Sequence, residues 1–264
     1  MARIRPVSHD EEISLVDHLD ELRWRIIASL IALGVAFLVC FWKSDLILDI
    51  AAAPLPAVDR QLIVLAPAEA FLTTVTVSLY AALILSAPFI SYQLFAFVIP
   101  ALSPRERKAV VPVLVTIPLL FVAGVFFAYF IVLPAAVDFL LNFNSAQFQT
   151  ELRARDYYSF FAMVMIAGGA VFQIPVVILA LVRLGIVSVE QLRKNRRYAY
   201  LAIAVLAAAL PGVDPVTMLI EMVPLLGLYE LSILLARAIG SPRARSDAGS
   251  EALEADGLEP KTQE

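Results

Sequence analysis

The octet His18-Leu-Asp-Glu-Leu-Arg-Trp-Arg25 runs directly into the uncharged stretch Ile26 to Trp42. Glu21 and Arg25 stand four apart on one helical face, while Leu15, Leu19, Leu22 and Ile26 mark a second, apolar face. This is the pattern of an amphipathic helix, beginning near Ser14, that continues into a first membrane span. A pair at this spacing on a juxtamembrane helix is usually a surface pair contributing well under about 1 kcal/mol. What makes it worth more is its position, so the rest of the chain has to be read around it.

Hydrophobic residues make up 61% of the chain and charged ones 17%, and the mean hydropathy is +0.83. That composition lies far from soluble domains and describes an all-α polytopic membrane protein. A net charge of -4 offers nucleic acid nothing. The single cysteine, Cys40, excludes an internal disulfide. Asp10, Glu11, Glu12, Asp17, Asp20 and Glu21 precede the first apolar run, which is unlike a cleavable signal, so a retained N-terminus is expected.

Residues 1–17 read as a polar tail, 18–238 as the membrane domain and 239–264 as a disordered tail rich in Ser, Ala, Glu and Asp. Lys43 to Ala66 reads as a loop carrying a short helix around Leu46–Ala52, ended by Pro54 and Pro56. Ala70 to Ser103 holds no charge and exceeds a bilayer core of about 30 Å, so span two must project, or kink at Pro88. Ser103 to Lys108 reads as a tight charged turn, Ala109–Val137 as span three and Asp138 to Asp156 as a second polar loop. Span four, Tyr157–Val182, carries Gly168-Gly169 and Gln173-Ile-Pro175, a signature of close packing and a bend. After the basic connection Arg183 to Arg197 come two short spans, Tyr198 to about Leu210 and Pro215–Ala236, which imply a locally thinned bilayer.

Six spans place both termini on one side. Sixteen Lys and Arg fall on that side, from Arg3 through Arg105, Arg107, Lys108 and the 183–197 connection to Lys261, against four opposite: Lys43, Arg60, Arg153 and Arg155. The bias makes the termini cytoplasmic and puts Glu21 and Glu106 at the same mouth of the bundle.

Catalytic signatures are missing. The two histidines, His9 and His18, are N-terminal, and there is no zinc-protease helix, nucleophile elbow, phosphate loop or cysteine pair, so no enzyme, cofactor or metal is expected. The intramembrane polar groups are Glu69, Asp138, Gln173, Asp214, Glu221 and Glu230, each a functional candidate by its insertion cost. Each also has a plain reading. Glu69 serves equally as an acid at the start of span two, Asp138 and Asp214 as interfacial residues, and Gln173 as helix–helix glue. Glu221 and Glu230, nine apart, point to opposite sides of a straight helix unless Pro224 changes the phase. Two cytoplasmic acids held apart, Glu21 and Glu106, suit two successive arginines, since a carboxylate takes a guanidinium bidentately and an ammonium cannot reproduce that geometry.

From about Ser14 to Ala238 the chain resembles the TatC family, the membrane receptors of twin-arginine protein translocases. The resemblance rests on His18-Leu-x-Glu-Leu-Arg-x-Arg25, Ala53-Pro-Leu55, Phe97-x-x-Pro-Ala-Leu102 with Glu106-Arg107, Phe172-Gln-x-Pro175, Pro211-Gly-Val-Asp-Pro215, Val223-Pro and Leu228-Tyr-Glu230. Each fragment is weak; their order and sidedness are specific. The resemblance implies a cupped six-helix bundle in a bacterial inner membrane with cytoplasmic termini. Glu21 and Glu106 would contact the paired arginines of a signal peptide, Arg23 would support that site, and Phe97 and Pro54 would matter for function. Gln173 fills a slot that is Glu in some relatives and Gln in others, which removes a protonatable group there. Asp214 matches an acid near the last span, Met218 stands where many relatives have glutamine, and Glu230 would support the fold or a partner. The implied partners are TatA-like and TatB-like single-span proteins, folded cargo carrying Arg-Arg signals, the lipid bilayer and further copies of the chain, with passage driven by the proton-motive force. The rivals are a small-solute transporter, which predicts a repeat between spans one to three and four to six that the long and short spans do not show, and an assembly scaffold.

Overall fold

A computed structural model describes residues 15–56, 60–98, 104–147, 151–183, 186–210 and 214–239. The tails at 1–14 and 240–264, Ser103, and the Pro211-Gly-Val part of its motif lie outside the described residues. In order, the helices are α1 Leu15–Trp42, α2 Ser44–Ala52, α3 Glu69–Val98, α4 Pro104–Phe127, α5 Leu133–Asn142, α6 Ala154–Val171, α7 Ile174–Arg183, α8 Val189–Lys194, α9 Arg196–Ala209 and α10 Pro215–Ile239. Among the described residues the only β pairing is one isolated bridge, Ile63 to Arg153.

Among the described residues, five segments are long and apolar enough to cross a membrane: Leu19–Trp42, Glu69–Leu94, Thr116–Asn142, Ala154–Val182 and Pro215–Arg237. Their outward faces are apolar, with Leu38, Leu119 and Val223 all more than two-thirds exposed. In water such a surface would aggregate; in lipid it is the solvent-compatible one. The short span expected from Tyr198 corresponds to α9, whose 14 residues reach roughly 21 Å.

The charged octet and the first apolar run form one helix, as the sequence implies, although Leu19 and Ile26 of the expected apolar face are half or more exposed. Two sequence boundaries are corrected. Pro104 to Lys108 is no turn but the opening of α4, where a proline at the first position loses no hydrogen bond. Asp138 belongs to α5, and the second loop begins only after Asn142.

Helix α4 passes into α5 through a π-helical turn at Ala128–Val132. Pro134 explains it: with no N–H to offer and a ring that crowds the carbonyl four residues back, it widens the turn, and the Leu133 N–H bonds to the Ala128 carbonyl five residues back. The predicted bend in span four is a break at Phe172–Gln173 between α6 and α7, set by Pro175 in the same way.

Among the described residues, three buried clusters hold the bundle together. Ala36 and Cys40 of α1 meet Ala82 of α3; Leu55, the π-helical turn and α5 pack on Tyr157, Val164 and Met165 of α6; and Leu179, Ile203, Leu225 and Ile233 join α7, α9 and α10. Because lipid removes the hydrophobic drive between helices, close approach through small residues must supply the packing. Gly124 of α4 and Gly168 of α6 do this: a Cβ on Gly124 would collide with the Gly168 carbonyl and come within 2.9 Å of the Phe172 Cβ, and one on Gly168 would lie 2.6 Å from the Ala128 Cβ. Gly34 has open space instead. Gly124→Val and Gly168→Val are therefore expected to lower stability in detergent by about 1–3 kcal/mol, while Gly34→Ala, with open space inside a helix, keeps or raises the melting temperature of the purified protein.

Candidate functional site

At the N-terminal end of α1, Arg25 is the node. Its Nη2 donates to Glu21 Oε1 at 2.5 Å, its Nε to the same oxygen at 3.1 Å, and its Nη1 to Gln93 Oε1 at 2.9 Å. The pair read as a surface feature is in fact half-buried and ties α1 to the far end of α3. One turn beyond Gln93, Phe97 joins Leu22, Arg25, Ile26 and Ile90 around a groove of about 290 Å³, whose lining is apolar apart from Arg25, Ser29 and Gln93. Arg23 is exposed and does not line it.

Glu106 lies in the opening turn of α4. Only five residues separate Val98 from Pro104, a reach of roughly 20 Å at full extension. The opening of α4 is therefore held near the end of α3 that carries Gln93 and Phe97. Glu21 and Phe97 thus lie at one end of the bundle, and the short connection keeps the Glu106 backbone within roughly 20 Å of the end of α3. Gln93 was not foreseen; its only signal was a lone amide near the end of a long uncharged run.

The remaining sequence candidates are distributed elsewhere. Pro54 lies in the turn after α2, where Arg60 clamps the backbone by donating to the Leu55 and Ala53 carbonyls at 3.1 and 3.0 Å. Gln173 is buried at the α6–α7 break; its Nε2 donates to the Ile117 carbonyl at 3.1 Å, the helix–helix link expected of it, while its Oε1 has no partner among the described residues. Asp214 is buried and caps α10, accepting the Thr217 N–H at 2.7 Å and the Thr217 hydroxyl at 2.5 Å. Glu230 accepts from Arg196 and from the Tyr200 hydroxyl, both at 2.7 Å, and so fastens α10 to α9. Glu221 is buried on α10 and one of its oxygens lacks a partner among the described residues. No cluster of His, Cys, Asp and Glu able to hold a metal occurs among the described residues.

At the opposite end, Glu69 does more than begin a helix. Its carboxylate receives Arg153 Nε at 2.6 Å and the Leu65 N–H at 3.0 Å, so it holds the preceding loop and the start of α6 rather than the amides of α3. That carboxylate, by hydrogen bonding and charge, raises the Arg153 pKa above its ordinary value. Ser188 and Gln191 form a reciprocal capping box on α8, a Ser-x-x-Gln signal that was legible but not used.

The fold and sequence are similar to those of known proteins. Residues 17–224 match the profile of the family described as TatC, Sec-independent protein translocase protein. The Sec-independent protein translocase protein TatC of Carboxydothermus hydrogenoformans is 39% identical over 231 residues, 87% of this chain and 95% of its own. The chloroplastic protein TATC of Pisum sativum is 38% identical over 221 residues, 83% of this chain and 63% of its own. A crystal structure of the twin arginine translocase receptor TatC superimposes with a TM-score of 0.70 at 36% identity, over 84% of this chain and 99% of that one. A second, in DDM, gives 0.71 at 35% identity, over 83% of this chain and 99% of that one.

Because Asp214 caps α10, Asp214→Ala should destabilise the fold by about 0.5–2 kcal/mol, and Asp214→Ser should restore most of the loss. Thermal unfolding followed by circular dichroism checks both.

Proposed function

The chain belongs to the TatC family of Sec-independent protein translocase proteins, and from that premise we propose that it is the receptor subunit of a twin-arginine translocase. In this reading it sits in a bacterial plasma membrane with six spans, α9 being the short fifth, and with both termini cytoplasmic. The membrane domain covers 18–238, and the segments 1–17 and 239–264 are cytoplasmic tails. It hydrolyses nothing. It selects folded cargo by the Arg-Arg motif of the signal peptide and works with TatA-like and TatB-like single-span partners, and with further copies of itself, in an export step driven by the proton-motive force.

The observation that carries the reading is the Arg25 node. A guanidinium already rests on Glu21 through Nε and Nη2, which is the chemistry an incoming signal arginine needs. Lysine, with one compact ammonium, cannot reproduce that fork. Glu106, in the opening turn of α4, supplies the second carboxylate, and Arg23 supports the site from the exposed side of α1. Phe97 and its groove receive apolar residues following the arginines. Pro54, Gln173, Asp214 and Glu230 support the frame or its partner contacts, each through the geometry described above.

Glu21→Ala and Glu106→Ala should each weaken binding of an Arg-Arg signal peptide roughly tenfold or more, the size of one charge-assisted hydrogen bond, without impairing membrane insertion. Glu106→Asp should be milder, since the charge remains and only the reach shortens. Titration of a labelled signal peptide against reconstituted protein reads this directly; undiminished binding by the double alanine variant rejects the site.

A further inference from the structure

The end of the bundle away from Glu21 carries a second cavity, of about 410 Å³, between the N-terminal ends of α3 and α6. Glu69, Thr73, Arg153, Arg155 and Ser159 give it polar walls. Glu69 occupies only the Nε of Arg153, and the terminal nitrogens of Arg153 and the whole Arg155 side chain make no further hydrogen bond or ion pair among the described residues. Thr73 is only 7% exposed, and its hydroxyl has no partner among the described residues. A buried, unused hydroxyl beside two cationic side chains is an arrangement that suits an anionic oxygen ligand.

This cavity is continuous with an apolar one. Val77, Tyr80 and Tyr158 line both it and a groove of about 550 Å³ that runs along α1, α2, α3, α4 and α6. The groove walls are almost wholly hydrocarbon and aromatic, among them Ile47, Ile84, Phe126 and Met165. In a bilayer, the material that fills such a groove is acyl chain, and the groove ends where the guanidinium groups begin. Of the four basic residues at this end, two, Arg153 and Arg155, line the same cavity. Asp156, also nearby, does not line it.

We propose that this composite cavity is a phospholipid site, with the headgroup phosphodiester between Arg153 and Arg155 and one acyl chain in the apolar groove. The Thr73 hydroxyl donates to one of the two non-bridging phosphate oxygens, and the guanidinium groups of Arg153 and Arg155 share the pair as charge-assisted donors. In the proposed orientation the lipid belongs to the outer leaflet. There it fills the space between the loop that Glu69 holds and the start of α6, and so fixes the outer rim of the bundle.

The test titrates delipidated, full-length protein with phosphatidylglycerol and reads bound lipid by native mass spectrometry. Inorganic phosphate and an Arg-Arg signal peptide serve as competitors. A single tightly held lipid is expected, with affinity reduced roughly tenfold by Arg155→Gln and further by Arg155→Glu. Signal-peptide binding should be unchanged in both variants. Arg155 is exposed and unpaired among the described residues, so these variants leave the Glu69–Arg153 tie and the fold intact. Unchanged lipid affinity in both variants overturns the proposal. So does competition by inorganic phosphate at concentrations equal to the lipid, which would reduce the site to an anion pocket, and so does stoichiometric displacement of lipid by the signal peptide, which would assign the groove to the peptide.

Discussion

Inside a bilayer no water is available to backbone amides and carbonyls, and every departure from a continuous helix must be satisfied by protein. This constraint orders the whole molecule. The outward faces of α1, α3, α4, α6 and α10 are regular and apolar, while the irregular backbone is turned inward. The π-helical turn at Ala128–Val132 is buried at Ala128 and Val132, and the break at Phe172–Gln173 is bridged by the Gln173 side chain to the Ile117 carbonyl. Both irregularities follow from prolines, and both lie against the glycine-lined contact of α4 with α6.

With the apolar middle fixed by packing, charge is concentrated where the helices end. Glu21, Arg25 and Gln93 join α1 to α3; Arg196, Tyr200 and Glu230 join α9 to α10; Glu69 and Arg153 join α3 to the start of α6. Each contact uses a charged donor or acceptor, and the Arg25 and Arg153 pairs lie in a partly buried setting, where a hydrogen bond is stronger than in water. The arrangement combines a rigid apolar frame with polar groups displayed at its rims. The two rims differ in chemistry: the Glu21 carboxylate is held by Arg25 at one, and Arg153 is held by Glu69 beside Arg155 at the other.

Much of this was legible in the residues. The uncharged run after Arg25, the proline and glycine placement in span four and the short helix after Lys43 each determine local structure by rules that need no partner. The i, i+4 spacing of Glu21 and Arg25 predicted their contact. What spacing could not supply was the third member, Gln93, because that contact joins positions 68 residues apart. The same limit applied to Glu69, whose partner Arg153 is 84 residues away and whose role at the loop replaced a simple helix-start reading. Asp214 read as interfacial, yet it is buried; a capping residue and an interfacial acid look alike until Thr217 is seen to donate twice. The Pro104–Lys108 segment was misplaced for a related reason, since a proline before charged residues marks a turn and a helix start equally well.

The central claim is that two carboxylates at one rim read paired arginines. The most direct measurement places a photo-reactive residue at position 21 or 106 in the membrane-inserted protein and illuminates it with signal peptides carrying Arg-Arg or Lys-Lys. The account predicts cross-links at both positions with Arg-Arg and a marked loss with Lys-Lys. Cross-links that ignore the substitution, or none at either position in correctly inserted protein, would contradict it.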